Sequence, residues 1–475
     1  MKQYDLICIG TGSAISIVEA MIQHNPKSKV AVIDKDQPGG ICLTRGCIPS
    51  KLLLYPADLV RLVEKANVFG IESKIQRIDF KKVMERMRTT INKDINDIRE
   101  GLTQSKHVDY YKEEAEFIAP YRIKVGKETI TSKLIVLGTG SKPAVPPVKG
   151  IEKTSYLTSD TILQINELPK SIMIVGGGYI AAEFGHFLSA MGSQVTIIGR
   201  NPQFIPEEEP EVSNLAKKEL GKHVTIYTNY EVQEAKKSKD KKVLVAVNRE
   251  TKKKTELTAD EILVATGRSS LSDVLKPEKG GIKTDKRGWI MVNEHLETSQ
   301  PNVWALGDSN GKYPFKHVAN YEAAVVYHNA VVKHKTVADY HAVPHAVFTY
   351  PEIASVGLKE TEAIEQYGTD KILIGFYRYE DTAKGEAIGA HDFFVKVIVE
   401  QETMKILGAH IIGPNASVLI HEIIPLMYTH EQNARPITDS MHIHPALSEV
   451  IDRAFRSLMP PEHYHHLMEH HYKLL

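Results

Sequence analysis

Apolar residues along this chain fall into two kinds of run, and their alternation predicts most of the architecture. LICI (6–9) and VAVI (30–33) are short, almost purely apolar stretches, as expected of strands covered on both faces. Between them, ISIVEAMIQH spaces its apolar residues as a helix does, after a glycine-containing turn. The order strand, glycine turn, helix, strand runs from Tyr4 to Asp34 and is repeated from Ser171 to Arg200 in SIMIVGGGYIAAEFGHFLSAMGSQVTIIGR. Each βαβ unit is followed by a hairpin-like stretch and an apolar strand ending in Thr-Gly, at Thr139–Gly140 and at Thr266–Gly267. The chain therefore contains an internal duplication.

The first copy is the longer one, because a cysteine-bearing segment and a helical stretch from about Tyr55 to Gln104 follow its second strand. In the second copy, lysine runs at 236–242 and 252–254 flank the alternating VLVAV and read as solvated hairpin ends. From about His341 the pattern changes. AVPHAVFTYPEIASVGL and FFVKVIVEQETMKILGAHIIG predict antiparallel strands, with SVLIHEIIPLMY helical behind them, so a separate α+β domain closes the chain.

Composition narrows the classes. A length of 475 residues suits about three domains. The 59 basic residues balance 59 acidic ones, which gives no reason to expect nucleic acid or an anionic membrane as partner. MKQYDLICIGTGS enters an apolar strand directly, without the features of a signal peptide, and no run of 18 apolar residues occurs, so a soluble cytoplasmic protein is expected. Three cysteines make no secreted disulfide framework.

Each glycine turn has the setting of a dinucleotide site, where backbone N–H groups at a helix start meet a pyrophosphate and a polar residue ending the second strand meets a ribose. The first copy offers Gly10, Gly12 and Asp34; its third glycine position is Ile15, a departure that argues against close helix-to-strand packing. Gly307 and Asp308 follow a later apolar strand. The second copy offers Gly176 and Gly178, with Ala181 at the third position, and its second strand ends in Gly199 and Arg200 rather than a carboxylate. A carboxylate there favours the free ribose of NAD, whereas an arginine suits the 2′-phosphate of NADP.

In PGGICLTRGCIPSKLL, Cys42 and Cys47 stand five steps apart. An unbroken helix would separate them by ~7.5 Å along its axis, beyond disulfide reach, so pairing requires a bend that Gly39, Gly40 and Gly46 can supply. Pro49 suits the first turn of a helix starting near Cys47, and that helix start together with Lys51 would favour a thiolate. Two other readings stand beside a redox pair: buried apolar thiols, or half of a zinc site. Only Cys8 remains, in an apolar strand, so a four-cysteine site is impossible. In the tail PPEHYHHLMEHHYKLL, His466 and His470 can share a helical face, but no cysteine completes a metal site and a solvated terminal helix is expected.

With two nucleotide units and a cysteine pair, GGICLTRGCIPSK and HIHPALSE together resemble the class I flavin-dependent pyridine-nucleotide disulfide oxidoreductases over essentially the whole chain. The resemblance implies two Rossmann-like domains, FAD-binding over 1–147 and 271–341 and NAD(P)-binding over 148–270, plus a C-terminal α+β dimerisation domain over 342–475. It implies that Cys42 attacks substrate, that Cys47 faces the flavin, and that Lys51 lies near the flavin ring and pairs with Glu183. His444, oriented by Glu449, would be the base, reaching the site of the partner subunit in a homodimer. Asp34 and Asp308, with Gly10, Gly12, Thr139, Gly140 and Gly307, would hold FAD, while Gly176, Gly178, Ala181, Gly199, Arg200 and Gly267 would hold NADPH or NADH. No metal is implied. Within the family the first expectation is dihydrolipoamide dehydrogenase. The alternatives are an NADPH-dependent reductase of a low-molecular-weight disulfide, of mycothione or glutathione type, and a docking subunit that serves a lipoyl-carrier protein in a multienzyme complex.

Overall fold

The computed structural model describes residues 1–472. Leu6–Ile9 and Val30–Ile33 lie side by side as parallel strands with helix α1 (Ile15–His24) between them in sequence, and every residue of both strands is buried. Ile135–Leu137 and Val303–Ala305 extend the sheet on one side and Val108–Tyr111 on the other, giving five parallel strands. The turn after Leu6–Ile9 demands glycine: Gly10 has φ +101°, and a Cβ there would stand 2.1 Å from the Gly138 carbonyl oxygen. The departure at Ile15 does not loosen this packing. Ile15 begins α1 with a half-buried side chain, and the close approach is made one residue earlier, by Ala14 against Gly138.

The cysteine segment forms two helices. Helix α2 (Gly40–Arg45) stops at Gly46, whose backbone (φ −129°, ψ −120°) is not helical, and α3 (Cys47–Lys65) starts at the next residue with Pro49 in its first turn. This is the bend that the cysteine spacing requires. Helix α4 (Phe80–Gln104) is capped by Asp79, which accepts from the Lys82 N–H, and buries Phe80, Met84, Met87, Ile91 and Ile95 on one face beside α3.

The second unit repeats the first. Ser171–Val175 and Gln194–Ile198 are parallel neighbours joined by α5 (Tyr179–Met191); Glu261–Val264 and Leu157–Thr158 lie to one side and Thr225–Tyr227 to the other. Gly176 reproduces the Gly10 turn, with φ +135° and a Cβ position 2.2 Å from the Ala265 carbonyl oxygen. The lysine runs fall at the ends of a three-stranded antiparallel sheet, Tyr230–Ser238, Lys241–Asn248 and Lys254–Ala259. Helix α6 (Pro210–Leu220) follows the second strand, and α7 (Lys316–Tyr327) follows the last strand of the first sheet. The C-terminal part is a six-stranded antiparallel sheet, in which Phe394–Glu400 and Ile406–Ile412 are central. No helix among the described residues is long and apolar enough to cross a membrane.

A buried ion cluster fastens the second unit to the C-terminal sheet. Lys396 is fully buried, and its Nζ donates to Glu209 (3.2 Å), Glu211 (2.9 Å) and Glu360 (2.7 Å). Burial pushes the ammonium's pKa down, and the three carboxylates more than reverse it. The tail corrects the expectation of a solvated helix. His466 and His470 do share a face, with ring centroids 4.4 Å apart, but Tyr464 and Met468 are fully buried and the Tyr464 hydroxyl donates to Glu211. Tyr464 thus belongs to the same cluster.

Removing the cation leaves three buried carboxylates uncompensated, which costs about 3–5 kcal/mol. Lys396→Met is expected to undock the second unit early in a urea titration followed by limited proteolysis; a transition unchanged from wild type would show that the cluster contributes nothing.

Candidate functional site

Both glycine turns open into one cavity of about 2150 Å³. Gly10, Gly12, Asp34, Thr139, Gly140, Gly307 and Asp308 line it from the first unit, and Gly176, Gly178, Arg200 and Gly267 from the second. Cys42, Cys47, Lys51 and Glu183 line the same cavity. Two expected cofactor residues are not in its wall. Ala181 is fully buried within α5, and Gly199 packs on Gly177, whose Cα would lie 3.2 Å from a Cβ at position 199.

In the first unit the acids are partly engaged by their own chain. Asp34 Oδ2 accepts from the Thr11 N–H (2.9 Å) and hydroxyl (2.5 Å), and Oδ1 accepts from the Asp36 N–H, so this carboxylate also holds the glycine turn in shape. Asp308 accepts from the Ser141 hydroxyl at 2.5 Å, and Arg268 Nε donates to that hydroxyl at 2.6 Å. The Thr139 hydroxyl oxygen is buried without a partner among the described residues.

The three cysteines are thiols, and their surroundings differ. Cys8 is buried in its strand, and burial pushes it up to about 12. The Cys42 thiol donates a hydrogen bond to Cys47; this bond draws Cys47 down to about 7, with Lys51 adding to the effect against burial and Glu183. Cys42 moves the other way, well above an ordinary thiol, through that same bond and burial. Lys51 is fixed by Glu183, at 2.8 Å and 2.9 Å to its two oxygens, and lies 4.4 Å over the Phe348 ring. The Phe348 N–H donates to Glu183 as well, at 3.1 Å.

His444 Nδ1 lies 3.0 Å and 3.2 Å from the two oxygens of Glu449, on a loop that ends at α8 (Glu449–Arg456). That contact is the main cause holding the Glu449 carboxyl below its usual range. The pair stands outside the cavity. The His444 side chain is 71% exposed, and Met441 and Ile443 beside it are exposed as well.

Lys316 was not legible in the sequence. It is the first residue of α7, lines the cavity, donates to the Ser13 hydroxyl at 2.9 Å and favours negative charge on Cys42. One lysine among 59 basic residues carries no signal in the sequence of what it faces.

Two nucleotide-type units that share a cavity with a polarised thiol pair define an oxidoreductase working between a dinucleotide and a disulfide. The comparisons agree. Residues 4–324 match the model of the pyridine nucleotide-disulphide oxidoreductases and residues 343–455 that of their dimerisation domain, and the chain belongs to this family. It is 34% identical over 471 residues to the mycothione reductase of Mycobacterium tuberculosis, covering 96% of this chain and 100% of that protein. It is also 34% identical over 454 residues to the dihydrolipoyl dehydrogenase of Chlamydia pneumoniae, covering 94% and 95%. Among solved structures, the Cu(II) complex of the HOCl-induced flavoprotein disulfide reductase RclA from Escherichia coli superposes with a TM-score of 0.85 at 26% identity, over 96% of this chain and 99% of that one.

Cys47 is expected to be alkylated by iodoacetamide with a rate that rises with pH through about 7, since the thiolate is populated above that value and lost below it. Lys51→Met should move the midpoint upward. An unchanged midpoint in that variant would remove Lys51 as a cause.

Proposed function

We propose that the chain is an FAD-dependent oxidoreductase that moves an electron pair between NAD(P)H and a small dithiol–disulfide couple, with dihydrolipoamide and lipoamide the first couple to test. The observation that carries this reading is the Cys42–Cys47 pair, one thiol drawn down to about 7 beside Lys51, in the wall of a cavity that both glycine turns share. Residues 1–147 with 271–341 hold FAD, 148–270 hold NAD(P)H and 342–475 make the homodimer interface. The partnerless Thr139 hydroxyl and the open space at Gly178, where a Cβ would meet nothing closer than a Glu207 oxygen at 4.0 Å, suit polar ligands at the two turns. The apolar side chains that α3 exposes, Tyr55, Leu59 and Leu62, suit a second copy of the chain.

When bound, FAD supplies a relay for two electrons between a nicotinamide hydride and the thiols. The protein's own residues do the rest. The hydrogen bond from Cys42, with Lys51 held by Glu183 adding to it, favours Cys47 as a thiolate. His444 of a second copy of the chain, oriented there by Glu449, takes the Cys42 proton as Cys42 attacks the substrate disulfide and forms a mixed disulfide with one substrate sulfur; the other sulfur leaves as a thiolate and takes that proton from the imidazolium. The Cys47 thiolate then attacks the Cys42 sulfur, closing the Cys42–Cys47 disulfide and releasing the second substrate sulfur as a thiolate that is protonated from solvent. Oxidation of a dithiol runs the same steps backwards, with His444 as base, and a lipoyl-carrier protein is the partner that direction implies.

One observation favours a second reading, an NADPH-driven reductase of a low-molecular-weight disulfide such as mycothione or glutathione disulfide. A carboxylate side chain at position 199 is opposed by the close approach of Gly177, while Arg200 is exposed in the cavity wall. An arginine–phosphate contact is worth about 1.5–3 kcal/mol, or roughly 10- to 150-fold in discrimination.

His444→Ala is expected to slow thiol–disulfide exchange by ~10²- to 10⁴-fold while leaving flavin reduction by NAD(P)H intact in stopped-flow absorbance. Equal loss in both half-reactions would refute its role as base. Steady-state kcat/KM should favour NADPH, and Arg200→Ala should erase most of that preference. A wild-type enzyme at least tenfold better with NADH would overturn the second reading in favour of an NAD-linked dihydrolipoamide dehydrogenase.

A further inference from the structure

Seven lysines and arginines line the cavity, and the chain itself neutralises four of them. Lys35, Arg45, Lys51 and Arg268 each lie 2.6–3.7 Å from a carboxylate oxygen. The other three have no carboxylate partner among the described residues. Arg200 follows the second strand of the second unit, and Lys316 is tied to Ser13 beside the first glycine turn, so both stand where a nucleotide's phosphates are expected. The third, Arg86, lies on α4 and belongs to neither turn. It stands on the side of the cavity that carries the cysteine helix, and neither nucleotide accounts for it.

Pro56 explains how Arg86 is held. It lies inside α3 and has no N–H to give to the Leu52 carbonyl four residues earlier. Arg86 Nη1 donates to that carbonyl instead, at 3.3 Å, so the guanidinium leans from α4 onto α3. Ile48 and Leu52, one turn apart on α3, also line the cavity, and Ile48 is 39% exposed. Five residues separate Cys47 from Leu52, or ~7.5 Å along the helix axis. The wall therefore runs from a reactive thiol past apolar side chains to a guanidinium, a span that a short aliphatic arm covers. None of the acids that line the cavity comes from α3 or α4, so this wall carries no charge of its own that would repel an anion.

We propose that Arg86 selects a substrate disulfide that carries a carboxylate on a short aliphatic arm, with Ile48 and Leu52 as the apolar bed of that arm. This names the substrate class for the thiol exchange proposed above and rests on that reading. A guanidinium binds a carboxylate through charge-assisted, often paired, N–H bonds, whereas a neutral amide in the same place offers no charge to answer it. Two substrates that differ only in that charge are therefore separable by mutation.

Lipoate and lipoamide share the disulfide ring and the arm, and differ in ending in a carboxylate or a neutral amide. The test is steady-state reduction of both by the FAD-loaded protein, with whichever nicotinamide it uses better. Arg86→Met is expected to lower the lipoate-to-lipoamide ratio of kcat/KM by about 3- to 10-fold, the range between an exposed ion pair and a charge-assisted hydrogen bond, and to do so through KM. Arg86→Lys should keep part of the ratio, which separates lost charge from a disturbed helix. Added salt should move the wild-type ratio towards that of Arg86→Met. A ratio that Arg86→Met leaves unchanged, in a protein that turns over either compound, would overturn this inference and leave thiol exchange standing. Reduction of neither compound by the wild-type protein would also end the inference, and failure with glutathione disulfide as well would end the thiol-exchange reading beneath it.

Discussion

The Glu183 carboxylate is the point at which the three parts of this molecule are joined. One oxygen accepts from Lys51 on the cysteine-bearing helix and from the Phe348 backbone of the C-terminal sheet, and the other accepts from Lys51 again, while Glu183 itself belongs to the helix of the second nucleotide unit. A half-buried acid that accepts three hydrogen bonds from two donors is far more directional than the apolar contacts around it. The position of the cysteine pair relative to the second glycine turn is set here. Loss of this carboxylate would leave Lys51 stacked on Phe348 with no anion, and each unit could shift against the others while remaining folded.

The duplicated units show how one architecture serves two sites. Four strands of each sheet follow the same order, the fifth being a later segment in the first unit (Val303–Ala305) and an earlier one in the second (Leu157–Thr158), and their first glycines make the same close approach to a neighbouring carbonyl oxygen. They differ at the end of the second strand. Asp34 bonds back to its own turn, whereas Gly199 has no side chain and is pressed against Gly177, leaving Arg200 to face the cavity. The chemical difference between the two turns comes from a few residues on a shared frame.

Elements with strong local patterning were legible in the sequence. Purely apolar runs became strands buried on both faces, and helix geometry together with a pairing of Cys42 and Cys47 required the bend that Gly46 makes. Long-range contacts were legible only where the resemblance implied them, as for Lys51 with Glu183. Ile15 counted as a lost contact because the glycine pattern locates the approach at that position, while the folded chain makes it through Ala14. In PEEEPE, Glu208, Glu209 and Glu211 are buried against partners, His345, Ser355 and Lys396, that lie more than a hundred residues away and that nothing local announces. The tail was misread for the same reason: nothing near Tyr464 in sequence announces Glu211.

The loop from Glu207 to Glu211 carries four acids in five positions, and three of them end up shielded from water by groups made much later. Lys396 follows Glu211 by 185 residues. During synthesis the second nucleotide unit is complete in sequence long before its counter-charge exists, and domains generally fold in the order in which they emerge. Until the C-terminal sheet arrives, those carboxylates must stay hydrated and mutually repelling, and the first turn of α6 cannot be covered. The order of translation therefore imposes an order of assembly, in which the piece made last closes the unit made in the middle.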